Sequence, residues 1–255
     1  MQTKFTELTD PQWQVIKKII EKEQRKRKYS LRQIMNAVLW LTRTGSQWRN
    51  MESKYPKWEL IYYYFRKWRS DGTIRAVLNE LVRLNRFNQG REREASMVAI
   101  DSQSVKKVPF IHLDTGIDGG KKVNGRKRHI AVDSQGLPLA ISVSSANIHD
   151  SEGAYDLLWR IEEVSSRVEL VRVDAAYKGE FSNVVTDIYQ WKIDISQKPE
   201  SVKGFVPQKG RWQVERSFGW LNFYRRLAKD YERLVESAMA FIQLAFSAIL
   251  FARIT

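Results

Sequence analysis

Two short apolar runs in this sequence end in aspartate: "VAI" leads into Asp101 and "VRV" into Asp174. A third carboxylate, Glu215, stands in "GRWQVERSFGWL", at the margin of a face that Val214, Phe218 and Leu221 form at the i, i+4, i+7 spacing of a helix. If the two runs are strands paired in parallel, both aspartates emerge at one sheet edge. That edge, outside the carboxyl ends of strands, is where α/β sheets bind ligands. The helix that follows would then deliver Glu215. Three carboxylates in a chain with no cysteine and three histidines favour hard, oxygen-seeking ions, Mg2+ or Mn2+. Two such ions a few ångströms apart can activate one phosphodiester oxygen and stabilise the leaving one. Plainer readings stand beside this one. A strand-end aspartate commonly serves a turn, as Asp133 before "SQG" is read here. Glu215 could also be a surface partner of Arg211, one helical turn earlier.

Charge gives the second clue. The chain has 43 Lys+Arg against 29 Asp+Glu, a net +14, which suits a polyanionic partner. The excess is uneven: residues 1–90 hold 19 basic and 8 acidic side chains, residues 91–255 hold 24 and 21. Three basic clusters stand out. The first is "RKRK", Arg25, Lys26, Arg27 and Lys28, followed by Arg32. The second is Arg66, Lys67 and Arg69. The third is "KKVNGRKRH", with Lys121, Lys122, Arg126, Lys127, Arg128 and His129. Such runs are usually solvated faces. Beside a site that cuts phosphodiesters, contact with phosphates is the sharper expectation.

The absence of cysteine excludes disulfides and thiolate metal sites. The apolar stretch "AMAFIQLAFSAILFA", residues 238–252, is shorter than the roughly 20 residues of a membrane span and is interrupted by Gln243. It is expected to be a buried C-terminal helix. "MQTKFTELTD" lacks the apolar stretch of a signal peptide. A soluble, intracellular protein with no membrane partner is expected.

Positioning these residues requires two kinds of structure. The first 90 residues read as helices: one starts at Asp10-Pro11, and one runs from a Ser30–Gln33 capping box to Gly45. Two more, 58–68 and 73–84, are divided at Asp71-Gly72. Residues 88–96 are polar and read as a linker. Beyond them come a strand at 97–101, a hairpin of 128–133 and 137–146, and a helix at 150–164 capped by Asp150 or Ser151. A strand at 169–175, a helix at 182–191, a strand at 192–196, the helix of Glu215 and a long C-terminal helix complete the order. That order predicts an α/β fold, a mixed sheet flanked by helices. The expected division is a helical basic DNA-binding domain, residues 1–90, and a catalytic domain, residues 91–255.

Taken together, these blocks resemble the DDE transposases of small bacterial insertion sequences, specifically the insertion-sequence-five family. "LTDPQW", "SLRQIMNAVLWLTRTGSQWR" and "YYYFRKWRSDG" are similar to its helical region. "AIDSQSVK" resembles its first acidic block and "GIDGGKKVNGRKRHIAVDSQGLPLA" the basic block and hairpin after it. "ANIHDSEGA" resembles the next helix start, "VDAAYKG" the second acidic block and "KGFVPQKGRWQVERSFGWLNFYRRLAKDYE" the third. The resemblance implies a ribonuclease H-like catalytic fold in which Asp101, Asp174 and Glu215 are catalytic and bind two Mg2+ ions, with Mn2+ as a substitute. It implies binding to terminal inverted repeats, cleavage of the element ends and joining of the 3′-hydroxyl to target DNA. Its partners would be double-stranded DNA and further copies of the chain, as a homodimer or larger assembly on DNA. Arg211 would orient the glutamate or hold a phosphate. Three positions depart from the family's pattern: Ala176 stands where glycine is common, and Gln208 and Asn222 where a related signature has tyrosine and lysine. Tyr177 could lie over the site or in the core, and His149 could cap its helix. Two other functions remain compatible: a hydrolytic nuclease that never joins, and a catalytically dead DNA-binding regulator.

Overall fold

A computed structural model describes residues 5–23, 25–196 and 212–254. The helical region begins with α1 (Asp10–Ile20), where Thr9 and Gln12 form a capping box and Pro11 lies in the first turn. The cap therefore sits one residue before the expected Asp10. Helix α2 (Leu31–Thr44) has the expected Ser30–Gln33 capping box and ends at Gly45, whose φ of 70° is the left-handed conformation that glycine adopts without strain. Helices α3 (Trp58–Ser70) and α4 (Thr73–Asn88) are separated by Asp71 and Gly72. The second of them runs past the expected end at residue 84.

Among the described residues six strands follow: β1 (Met97–Lys106), β2 (Gly116–Asp118), β3 (Val123–Val132), β4 (Pro138–Ser145), β5 (Leu170–Asp174) and β6 (Lys192–Ser196). The antiparallel partners of β3 are β1 on one side and both β2 and β4 on the other. Parallel pairing links β1 to β5 and β5 to β6. Three antiparallel strands continued by parallel ones, with helices on both faces, make a ribonuclease H-like α/β sheet. Strand β1 is twice the expected length because pairing with β3 continues to Lys106. Strand β2, three residues with one exposed apolar side chain, has no alternation from which to read it. Helices α5 (Asp150–Val164), α6 (Glu180–Asp187), α7 (Trp212–Leu221) and α8 (Val235–Phe251) complete the chain. The cap of α5 is His149, whose Nδ1 accepts from the Ser151 N–H, and not Asp150 or Ser151.

Strand alternation divides the interior. Val98, Ile100, Val171 and Val173 point into a core with Leu157 and Ile161 of α5 and Phe181 of α6. Ala99, Ile130 and Val132 point the other way, against Val214 of α7 and Leu244 of α8. That second core is continuous with Ile34, Leu41, Phe65 and Leu81 of the helical region. Helix α8 is apolar on nearly all sides because it is wedged between α2, α4 and β4. Among the described residues no helix is long and apolar enough to cross a membrane. A buried ion pair between Arg86 of α4 and Asp133, at the β3–β4 turn, ties the two regions together. The same guanidinium donates to the carbonyls of Glu92 at 2.9 Å and Glu94 at 3.1 Å, pinning the polar 88–96 segment. The core thus runs across the boundary expected at residue 90.

Candidate active site

The parallel ladder of β1 and β5 sets Met97 against Leu170, Val98 against Val171 and Ala99 against Arg172. Continuing by two residues brings Asp101 level with Asp174. Alternation fixes their side. Val98 and Ile100, like Val171 and Val173, belong to the α5–α6 core, so Asp101 and Asp174 share the opposite face. Both are half-buried. Each carboxylate is oriented by backbone: Asp101 Oδ1 accepts from the Ser102 N–H at 2.7 Å, and Asp174 Oδ1 from the Ala176 N–H at 2.9 Å. The latter caps the short turn Ala175–Tyr177. Tyr177 is fully buried and meets Phe181 edge to face with ring centroids 5.4 Å apart, so it is a core residue.

Glu215 comes from α7, which packs on β1 and β3 on the same face as Ala99. Val214, Phe218 and Leu221 form its buried stripe as the spacing predicts, and Glu215 beside them is exposed. Two bonds seat the helix on the β3–β4 turn. Ser217 Oγ donates to the Gly136 carbonyl at 2.8 Å, and Arg216 Nη2 to that of Gln135 at 2.7 Å. Gly136 has a φ of 73°, and a Cβ there would stand 2.7 Å from Ser217 Oγ. Both the turn and the helix approach therefore demand glycine. Arg216 also stacks between Trp212 and Trp220, 4.3 and 4.9 Å from the ring centroids. Arg211 and Gln208 lie outside the described residues. Among those described, no group of three or more His, Cys, Asp or Glu side chains is arranged to hold a metal ion. The structure brings the two aspartates together on one face and leaves Glu215 as a separate, exposed carboxylate on the same side. Asp174 ends β5 as expected, whereas Asp101 lies in the middle of β1, because pairing with β3 carries that strand on to Lys106. Two half-buried oxygen donors on neighbouring strands fit a hard divalent cation.

The basic residues part company. Lys121 and Lys122 are exposed at the β2–β3 turn. Arg126, Lys127 and Arg128 are buried, which removes them from the phosphate contacts expected of them. Arg126 bonds Asp230 at 3.1 Å and the carbonyls of Glu232, Leu113, Arg233 and Asp114. Lys127 reaches Asp150 at 2.6 Å and the Ile148 carbonyl at 2.7 Å. Arg128 donates to the Leu227 carbonyl at 2.8 Å, and burial lowers its pKa to about 10. Arg25, Lys26 and Lys28 are exposed. Arg27 is half-buried and donates to the carbonyls of Glu23 and Arg25. Arg32 pairs with Asp10 and bonds the Leu8 carbonyl, so its guanidinium is already engaged. On the face that carries Asp101 and Asp174, Arg172 pairs with Asp194 across β5 and β6 at 3.0 Å. Neither belongs to a motif. Only the alternation through Val171 and Val173 would mark Arg172 as a neighbour of Asp174.

A family model described as "Transposase DDE domain" matches residues 92–250, which include Asp101, Asp174 and Glu215. The chain belongs to the DDE transposase family. A second model, "Putative transposase of IS4/5 family", matches residues 8–78 of this transposase. A Burkholderia cepacia protein described as "Putative transposase for insertion sequence element IS402" is 30% identical over 128 residues, 47% of this chain and 60% of that protein. The chain therefore spans less than two thirds of that relative. Divalent-metal dependence is general to DDE transposases.

Proposed function

We propose that this transposase binds the terminal inverted repeats of its own insertion sequence, cleaves the element ends and joins the freed 3′-hydroxyl to target DNA. The observation that carries this reading is the parallel β1–β5 register, which sets Asp101 and Asp174 on the sheet face that α7 covers. The two aspartates, with Glu215 as third ligand, would hold two Mg2+ ions, with Mn2+ as a substitute. Bound there, the metal supplies charge neutralisation at the scissile phosphate and a more acidic attacking water. The chain's own part is positional. Backbone donors fix each aspartate, and the turn of Gln135 and Gly136 fixes the helix of Glu215. Both steps are in-line phosphoryl transfers. Water, then the 3′-hydroxyl, forms a new P–O bond while the opposite P–O bond breaks, so no covalent enzyme intermediate is needed. Lys121 and Lys122, with Arg25, Lys26 and Lys28, are the exposed cations offered for phosphate contact. Two ends must be brought together, so a homodimer or larger assembly on DNA follows.

The test uses duplexes carrying the inverted repeats that flank this reading frame, with Mg2+. Wild type should give both cleaved and joined strands. Asp101→Asn, Asp174→Asn and Glu215→Gln should lose both by orders of magnitude while melting and duplex binding stay near wild type. Cleavage without joined product in the wild type would make the protein a hydrolytic nuclease. Binding without cleavage would make it a regulator. A Glu215→Gln protein that cuts normally would return Glu215 to the surface.

A further inference from the structure

We infer that the solvent face of α3 is the surface of the helical region that lies against the DNA backbone. This rests on the DNA-binding reading above and adds the element that makes the contact. The four N-terminal helices differ sharply in what they leave exposed. Nine of the 14 residues of α2 are buried, so it has no face to offer. Helix α4 packs on α1, α3 and α8, and its Arg75 is paired with Glu163 at 2.9 Å. Helix α1 exposes Lys17 and Lys18, and its one aromatic, Trp13, is buried.

The exposed residues of α3 are Glu59, Tyr62, Tyr63, Arg66, Lys67 and Ser70. They recur at i, i+3, i+4, i+7, i+8 and i+11, one continuous stripe along the helix. Its buried stripe is Ile61, Phe65 and Trp68. Tyr62 is 37% exposed and Tyr63 57%. Tyr62, whose ring also packs edge-on against Trp48, and the more exposed Tyr63 lie among cations, which suits a polyanion. Their hydroxyls donate hydrogen bonds to phosphate oxygens, and Arg and Lys supply the charge. The cations are ordered by rings: the Arg66 guanidinium lies 6.0 Å from the Tyr62 ring centroid and that of Arg49 5.6 Å from Trp58. Trp58 and Tyr62 are themselves 6.4 Å apart, so guanidinium, indole, phenol and guanidinium follow one another along one edge of the helix. A groove of about 590 Å³ runs over this stripe. These ring contacts order Arg49, Trp58, Tyr62 and Arg66 before any ligand arrives, which reduces the ordering cost of binding.

The experiment measures binding of the full chain to a fluorescein-labelled duplex of random sequence as salt is varied. Arg66→Glu with Lys67→Glu is compared with Lys17→Glu with Lys18→Glu, an equal change in net charge on another exposed face of the same region. The α3 variant should bind at least tenfold more weakly, and its salt slope should be shallower by about two, one for each phosphate no longer neutralised. The α1 variant should keep the wild-type slope. Tyr63→Phe, which removes one hydroxyl and no packing, should weaken binding several-fold at unchanged slope. Equal losses for the α1 and α3 variants would overturn the placement while leaving DNA binding itself standing. So would an α3 variant that binds normally but changes its sedimentation, since the face would then join copies of the chain. A wild type with no affinity for any duplex would remove the DNA-binding reading and this placement together.

Discussion

Arg25-Lys26-Arg27-Lys28 and Arg126-Lys127-Arg128-His129 are nearly the same string, and the fold treats them oppositely. The first lies between α1 and α2, outside any helix or strand, with three of its four side chains in solvent. The second is in β3, the only described strand paired along both edges with antiparallel neighbours, and all four of its side chains are buried. Alternation sends Arg126 and Arg128 toward the segment 227–233, and Lys127 and His129 toward the start of α5. Each cation there is met by a carboxylate or a carbonyl. A run of charge therefore does not report a surface. What distinguishes the runs is the apolar continuation "IAV" after the second, which draws its strand into the sheet.

The largest effect should come from Arg126. Its five bonds hold Asp114, Leu113 and the 230–233 segment, and it is 1% exposed. Arg126→Ala would leave Asp230 buried beside an empty space and four carbonyls short of a donor. Removing one partner of a buried pair costs about 3–5 kcal/mol. Urea unfolding of wild type and variant measures it. A loss below about 1 kcal/mol would mean that this run is dispensable to the fold and that burial does not separate the two strings.

Much of this structure is legible in the sequence because it rests on local chemistry. The Ser30–Gln33 box, the stop at Gly45 and the span Asp150–Val164 need only capping groups and periodicity. The strand ending at Asp174 is legible in the same way, whereas Asp101 lies in mid-strand because its continuation to Lys106 depends on pairing with β3. Tyr177 and the basic strand are not decidable that way. Their burial depends on α5, α6 and the 225–233 segment, which arrive from far along the chain. The cap of α5 goes to His149 because an imidazole nitrogen can accept the Ser151 N–H as a carboxylate would. Glu215 lies between these cases: its helix is readable, while its relation to the aspartates depends on how α7 seats on the β3–β4 turn.

His129 sharpens the comparison through pH. Burial, helped by Lys127 and Lys121 against the pull of Asp150, lowers its pKa from 6.5 to about 4. The folded protein keeps the ring neutral while the unfolded chain takes a proton near pH 6.5. Stability should therefore fall as pH drops from 6.5 towards 4 and level off below, a total of about 3 kcal/mol from this group. His129→Gln should lose that part of the slope. Identical pH profiles for the two proteins would show that the imidazole is not held neutral.

A smaller effect is expected at the next residue outward. Gly153 of α5 lies against the His129 ring, and a Cβ there would stand 2.3 Å from Nε2. That nitrogen is also bonded to Ser144 Oγ at 2.9 Å, so the ring has no easy retreat. Glycine to alanine within a helix ordinarily gains up to about 1 kcal/mol. Here overpacking should reverse the sign, with a net loss of about 1–3 kcal/mol. In a His129→Ala background the same substitution should become neutral or favourable, because the obstructing ring is gone. A Gly153→Ala protein that melts above wild type would show that α5 does not press on the basic strand.

The smallest change in stability should belong to the exposed run. Arg27 donates to the carbonyls of Glu23 and Arg25 and is best left in place. Arg25, Lys26 and Lys28 are exposed, and the Tyr29 ring centroid lies 5.5 Å from the Lys28 ammonium. Replacing all three by alanine removes charge without opening a cavity, so unfolding free energy should stay within about 0.5 kcal/mol of wild type. Duplex binding should respond in proportion to the phosphates these residues neutralise, the salt slope becoming shallower by about 0.9 for each phosphate left without its cation. The two measurements separate the possibilities cleanly. A shallower slope with an unchanged melt assigns this run to DNA and the β3 run to the fold. An unchanged slope leaves it a solvated segment, and the cationic grip of the helical region on DNA then falls to α3 alone.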